Sequence, residues 1–281
     1  MTEKKNSITP HRSNPVSTTQ FWSLVVSRPK VNATNITIDQ LLLEQVSKSV
    51  TLDTYLRFYT WKQPTLSIGF TQNASQVVNF DYCKQNQILV VRRPTGGRAV
   101  LHQHEITYAI ISNDQTFFPV QSISKTYQKI ALALQSGLKH LGIDTTLASS
   151  TKNKRVRYID QRAACFASSH NHEILYGGKK LIGSAQRRTD RAFLQHGSIL
   201  IDFSFHTLQG ALKDVLPPDL PSVISTLRSC LRCPPKKSVV ISNFKKGFCK
   251  TFKIQLKQVQ LSKEFQNRAE ILGENNLIKF C

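Results

Sequence analysis

The stretch VVRRPTGGRAVLHQHEITYAIIS runs from Val90 to Ser112 and sets the reading of this chain. Two arginines, a Pro-Thr turn and a Gly-Gly pair lie between apolar, β-rich flanks. Gly96 and Gly97 can adopt backbone angles closed to other residues, and consecutive amides there can converge on one anionic oxygen. Arg92, Arg93 and Arg98 surround the turn with positive charge, so a phosphate, a phosphopantetheine or a carboxylate suits it. An ordinary glycine turn with solvated arginines accounts for the same residues, and the pattern is neither a P-loop nor a dinucleotide fingerprint. His102 and His104 share a strand face, which is open to a metal and equally to two surface-facing polar side chains.

Working outward, the flanks ILVVRR and Ile106–Ile111 read as strands. Upstream, Phe21–Ser27 reads as a first strand, and NATNITIDQLLLEQVSKS as a helix capped by Asn or Thr. LRFYTWKQPTLSIGF gives two short strands around Lys62-Gln63-Pro64, and Phe80–Asn86 a short helix. Downstream, Ile123, Tyr127, Ile130, Leu134, Leu138 and Leu141 recur at helical steps until Gly142. HEILYGGKKLIGSAQRR reads as a hairpin turning at Gly177-Gly178, and AFLQHGSILIDF as a further strand. From His206 the character changes: Pro217, Pro218 and Pro221 mark a linker, and the rest reads mainly as helix. The expected architecture is α+β, a mainly antiparallel sheet with packed helices. It divides into a tail (residues 1–20), a catalytic domain (21–205) and a mainly helical C-terminal extension (206–281).

The chain has 281 residues, 38 Lys and Arg against 17 Asp and Glu, and a net charge of +21. Such a field attracts polyanions and acidic proteins, so nucleic acid and an acidic carrier protein both come into view. No stretch reaches the roughly 18–20 apolar residues of a membrane-spanning helix. The first twenty residues are polar and basic, so no secretory signal is expected; an organellar address stays open beside a cytoplasmic one. The six cysteines show no disulfide framework. Cys230 and Cys233 form a lone C-x-x-C, a weak zinc or redox signal without a second pair.

ACFASSHNHEILYGGKKLIGSAQ, Ala164–Gln186, adds a candidate nucleophile. Small residues flank Cys165, and the following hairpin carries Lys179 and Lys180. A lysine ammonium beside a thiol favours thiolate; a buried, inert cysteine fits the same residues. Gly183-Ser184-Ala185 suits a narrow pocket or close strand packing. In LQHGSI, His196 suits a buried hydrogen bond, with Gly197 after it.

In their order, these segments resemble the superfamily of lipoate–protein ligases, octanoyltransferases and biotin ligases. RRPTGGRAVLH is similar to its R-R-x-T-G-G-x-A-V-x-H segment, GKKLIGSAQ to its G-K-K-x-x-G-S-A-Q segment, and LQHGSILID to its H-G-S-x-L segment. TIDQLLLEQ and LRFYTWKQPTLSIGFTQ also match, so the likeness covers roughly Phe21 to Phe205. Ligases generally carry a third glycine where this chain has Arg98. The T-G-G-R-A-V form looks like the cysteine-dependent octanoyltransferases of Gram-positive and cyanobacterial type. In those enzymes the catalytic cysteine lies in a C-F segment fifteen residues before the hairpin lysine, and Cys165-Phe166 and Lys180 have that separation. Gln103 departs from the pattern, where an Asp often follows the His.

The resemblance implies transfer of an octanoyl group from acyl carrier protein, through a Cys165 thioester, to a lysine of a lipoyl domain. The acceptor would be a glycine-cleavage H protein or a 2-oxoacid dehydrogenase subunit. Cys165 and Lys180 are the implied catalytic pair. Arg93, Thr95, Gly96, Gly97, Arg98, Ala99, Val100, His102, Gly183, Ser184, Ala185, His196 and Gly197 are the implied substrate wall. Neither metal nor cofactor is expected, and neither membrane nor nucleic acid is an expected partner. Two alternatives remain at this level. One is a lipoate–protein ligase using ATP and magnesium. The other is a non-catalytic, nucleic-acid-binding or regulatory relative, supported only by the basic tail.

Overall fold

The structure is a computed structural model and describes residues 20–30, 33–119, 122–148 and 172–278. Its main sheet has the order β11-β1-β2-β6-β10-β9-β8-β7. These strands are β1 (Phe21–Val26), β2 (Thr54–Tyr59), β6 (Glu105–Ser112), β7 (Thr146–Leu147), β8 (Ile174–Tyr176), β9 (Lys179–Arg188), β10 (Phe193–Leu200) and β11 (Gln255–Gln258). From β2 to β7 every neighbour is antiparallel. β1 and β2 are parallel because helix α1 (Thr34–Lys48) carries the chain back between them. A smaller sheet places β3 (Thr65–Ile68) between β4 (Leu89–Arg92), parallel, and β5 (Val100–His102), antiparallel. The mainly antiparallel α+β expectation therefore holds.

Local signals became the expected elements where chemistry was local. Gly177 and Gly178 have φ of +56° and +76° and close the β8–β9 hairpin, a turn that favours glycine at both central positions. Helix α4 (Ile123–His140) starts at Ser122, whose side chain accepts the Lys125 N–H, and ends before Gly142 at φ +77°. Helices α2 (Ala74–Val77) and α3 (Phe80–Gln85) follow β3. Two expectations change. β2 and β3 flank Lys62–Pro64 but belong to different sheets, because the chain crosses layers there with Trp61 buried. α1 has no side-chain cap: Ala33 occupies the cap position, and Asn35 turns inward to a buried arginine instead.

Three apolar layers form around the sheets. On one face Trp22, Phe58, Tyr108 and Phe193 pack with Leu134 and Leu138 of α4 and with Phe244 and Phe248 of α7 (Lys237–Phe252). On the other face Ile38, Leu42 and Val46 of α1 meet Ala109, Ile111 and Leu194, and α8 (Lys263–Gly273) joins them through Ala269. The small sheet contributes Leu66, Ile68 and Val90 to a third cluster with Leu208 of α5 (Phe205–Ala211). Residues after His206 are mainly helical and include α6 (Leu227–Cys230). They also complete the main core through α7 and extend its sheet through β11, which pairs with β1.

Helices α4 and α7 meet at two glycines. A Cβ on Gly247 would lie 2.5 Å from the Ala133 carbonyl and the Gly137 amide, and one on Gly137 would lie 2.9 Å from the Phe244 Cα. Both obstacles are backbone. At an exposed helix site Gly→Ala is favourable by about 1 kcal/mol, but overpacking a tight core typically costs about 1–3 kcal/mol. Gly247→Ala should therefore lower stability in urea unfolding. A gain in stability would mean that this crossing is looser than described.

Candidate active site

The opening turn is braced from behind. Gly97 has φ +92°, a conformation that favours glycine. A Cβ on Gly69 would collide with the Gly97 carbonyl, so the β3 end and the turn touch backbone to backbone. Arg93 donates to the carbonyls of Ser67 (3.0 Å), Gly96 (2.9 Å) and Arg98 (2.6 Å). Arg92 donates to those of Gly69, Phe70 and Gln72. These guanidinium bonds shape the loop rather than stand open around it.

Beneath the turn lies a buried charge network. Thr95 Oγ1 is 2.8 Å from His196 Nε2, and His196 Nδ1 is 3.4 Å from Asp39 Oδ2. Asp39 also accepts from Arg57 at 2.7 Å and from the Tyr59 hydroxyl at 2.9 Å. Arg57 donates further to the Asn35 carbonyl and side chain and to Ser27. Burial acts to raise the Asp39 pKa, but Arg57 and His196 outweigh it and hold it below the ordinary carboxylate value. Burial lowers the pKa of His196 against the pull of Asp39.

A second network fixes the facing wall. His102 is 2.8 Å from Ser67 Oγ and 2.8 Å from Glu105 Oε1, and it stacks on Trp61 at 4.3 Å. Thr107 donates to Glu105 and accepts from the Trp61 indole. Burial would raise the Glu105 pKa; His102 prevails and keeps it low.

Between the networks runs a narrow cleft. Arg93, Val100, His102, Gly183, Ser184, Ala185, His196 and Gly197 line it, so eight of the expected wall residues are brought together. Thr95 and Ala99 are buried behind, and Gly96, Gly97 and Arg98 form the turn. Ile36, Tyr59, Ser67, Thr107 and Ser198 also line the cleft and escaped the sequence reading. The polar types of Ser67, Thr107 and Ser198 carry no signal of burial in a strand region, and Ile36 reads as ordinary core. Ser67, Tyr59, Thr107 and both histidines are bonded to other protein groups, which leaves the wall toward the cleft largely apolar. Gly197 keeps it narrow: a Cβ there would lie 2.5 Å from the Gly183 carbonyl and 2.7 Å from the Tyr108 ring.

Other expected residues fall outside this arrangement. His104 is exposed at the end of the β5–β6 turn and does not join His102. Lys180 does not line the cleft; its ammonium donates to Glu173 at 2.6 Å, with both side chains buried. Cys165 lies outside the described residues.

The model of the lipoyl protein ligase A/B catalytic domain matches residues 32–253. The chain belongs to that family. Octanoyltransferase LipM of Carboxydothermus hydrogenoformans is 41% identical over 194 residues, covering 69% of this chain and 70% of the relative. Octanoyltransferase LipM of Kyrpidia tusciae is 34% identical over 261 residues, covering 90% and 95%. Among solved structures, lipoate-protein ligase A bound with ATP has a TM-score of 0.72 at 21% identity, covering 91% of this chain and 95% of that one. That second likeness is one of fold. Within the lipoyl ligase fold, the described cleft sits where the small sheet meets the main sheet.

His196 and Asp39, two of the shifted groups, contribute a pH dependence. His196 and Asp39 both have folded pKa values below their unfolded ones, so as pH falls the unfolded chain binds more protons and stability drops. The His196 contribution is lost below about pH 6.5, and the Asp39 contribution below about pH 4. His196→Gln should flatten the first part of the Tm-against-pH curve and shrink the second, since His196 joins Arg57 in holding the Asp39 pKa down. Parallel wild-type and variant curves would show that His196 carries no such linkage.

Proposed function

We propose that this octanoyltransferase takes its acyl group from acyl carrier protein, holds it as a thioester on Cys165, and delivers it to a lysine of a lipoyl domain. The observation that carries the reading is the cleft, because its polar side chains are bonded among themselves and its remaining wall suits a hydrocarbon chain. Burying such a chain contributes about 0.8 kcal/mol per methylene, several kcal/mol for eight carbons. The glycines at 96–97 and at 183 let backbone amides approach a carbonyl oxygen, where developing negative charge is stabilised.

The steps balance without an added co-reactant. The Cys165 thiolate attacks the donor thioester; a new S–C bond forms and the carrier thiolate leaves to take up a proton. The acceptor amine then attacks, an N–C bond forms, the amine gives up a proton, and Cys165 leaves as thiolate. We assign Lys180, whose ammonium pairs with Glu173, as the cation that favours the thiolate. The thioester already carries the activation, so neither ATP nor magnesium takes part. A glycine-cleavage H protein or a 2-oxoacid dehydrogenase subunit is the acceptor type. The +21 charge steers encounters with acidic carriers of either kind.

The lipoate–protein ligase alternative is not favoured. The ligase with ATP shares the fold at 21% identity, whereas relatives named octanoyltransferase share 30–41%. The test is transfer from octanoyl-acyl carrier protein to a purified lipoyl domain without ATP. Wild type should give octanoylated product, and Cys165→Ser should lose at least about a thousandfold, as removal of a catalytic nucleophile does. Full transfer by Cys165→Ala, or efficient lipoylation that needs ATP and not Cys165, would make the protein something else.

A further inference from the structure

A line of side-chain hydrogen bonds runs from the start of α4 along β9 and β10 to the cleft, and it has a direction. At its outer end Arg188 donates from Nη2 to Thr126 Oγ1 and from Nε to Gln186 Oε1, each at 2.8 Å. Gln186 Nε2 donates to Gln195 Oε1 at 2.9 Å, and Gln195 Nε2 donates to the Tyr108 hydroxyl oxygen at 3.0 Å. That hydroxyl lies 2.7 Å from Ser184 Oγ. Strand register brings the members together: Gln186 pairs with Gln195, and Ser184 and Tyr108 flank Gly197 of β10 on either side.

Counting hydrogens fixes each donor. A guanidinium only donates, so the Gln186 oxygen faces Arg188. The Gln186 nitrogen is left for Gln195, whose oxygen faces it and whose nitrogen is left for Tyr108. An amide NH2 does not accept, so the single hydrogen of the Tyr108 hydroxyl goes to Ser184. Tyr108 keeps that hydrogen, because burial pushes its pKa up to about 12. Ser184 Oγ therefore accepts, and its own hydrogen is left to donate elsewhere. Among the described residues the bond with Tyr108 is the one this hydroxyl makes.

The cleft is where it can donate. Ser184 is half-buried and lines the cleft between Gly183 and Ala185. A Cβ on Gly197 would lie 2.7 Å from Ser184 Oγ, so glycine at 197 keeps a side chain of β10 off the hydroxyl. The hydroxyls of Tyr59 and Thr107, on the same cleft, already give their hydrogens to Asp39 and Glu105.

We infer that Ser184 donates its hydroxyl hydrogen to the carbonyl oxygen of the acyl group, where negative charge develops during transfer, and that Arg188, Gln186, Gln195 and Tyr108 are positioning residues that set the direction of this hydroxyl. The inference rests on the acyl-transfer steps given under Proposed function. It adds a side-chain donor to the backbone amides near Gly96, Gly97 and Gly183.

The test measures kcat and KM of the full chain for octanoyl-acyl carrier protein, with a lipoyl domain as acceptor and without ATP. Ser184→Ala should lower kcat about a hundredfold with KM little changed, as loss of one such donor does. Gln186→Glu keeps the side-chain size and gives Arg188 a carboxylate, so stability in urea should be at least that of wild type. The new carboxylate cannot donate, so Gln195 turns its nitrogen toward it and its oxygen toward Tyr108. Tyr108 then donates to Gln195, and the Ser184 hydrogen is drawn to Tyr108. In Gln186→Glu kcat should therefore fall as far as in Ser184→Ala. The double variant should be no slower than Ser184→Ala alone, because both changes remove the same hydrogen bond. Wild-type kcat in Ser184→Ala, or a loss confined to KM, overturns Ser184 as the donor. Wild-type kcat in Gln186→Glu, or losses that add in the double variant, overturns the directed line of hydrogen bonds. Absence of transfer by wild type itself overturns the reading beneath the inference, and the inference with it.

Discussion

A buried ion pair, Asp39 with Arg57, ties the functional region together. Both side chains are fully buried. Asp39 comes from α1, Arg57 from β2, and through His196 and Thr95 the same carboxylate reaches β10 and the glycine turn. Buried pairs of this kind add little net stability against an apolar replacement, but losing one partner leaves an uncompensated charge. What the pair supplies is geometry. Each nitrogen of the Arg57 guanidinium donates to a named acceptor, and Tyr59 lies under it at 4.0 Å. The turn at 93–98 can therefore stand as a fixed wall although it contains two glycines.

That fixed wall explains how a cleft rich in Ser, Thr and His can suit a hydrocarbon chain. Polar groups bonded within the wall present their apolar edges, and a polar group left without a partner would be costly there. The glycines act in the opposite sense, by removing bulk. Gly197 against Gly183, and Gly69 against Gly97, allow backbone to approach backbone where any side chain would collide. Narrowness and dryness thus have separate origins in the same few strands.

The sequence made the local chemistry legible and the long-range pairing opaque. The Gly177–Gly178 hairpin, the end of the helix at Gly142 and the glycine turn followed from residues that act on their own backbone. The family resemblance, carried by the glycine turn, the lysine hairpin and three further segments, is borne out by the match over residues 32–253. Asp39 and Arg57 were not legible as a pair. Each sits in an amphipathic element where a charge ordinarily faces water, and nothing local marks burial. Glu173 was missed for the same reason, with only the neighbouring lysines noticed. Strand β11 (QLKQ) has one apolar residue and exists because β1 offers it an edge. Cys165 was read from its distance to Lys180 within a resembling segment, and it lies outside the described residues.

The most direct measurement is a rapid-quench single turnover with octanoyl-acyl carrier protein labelled in the carbonyl, with a lipoyl domain present. Samples at each time are split between acyl-Cys165 peptide and octanoylated acceptor. The account predicts that acyl-Cys165 appears first and decays at the rate at which the acceptor gains its amide. Amide formed before any acyl-Cys165, or an acyl-Cys165 that decays more slowly than product forms, would contradict a covalent path through this residue.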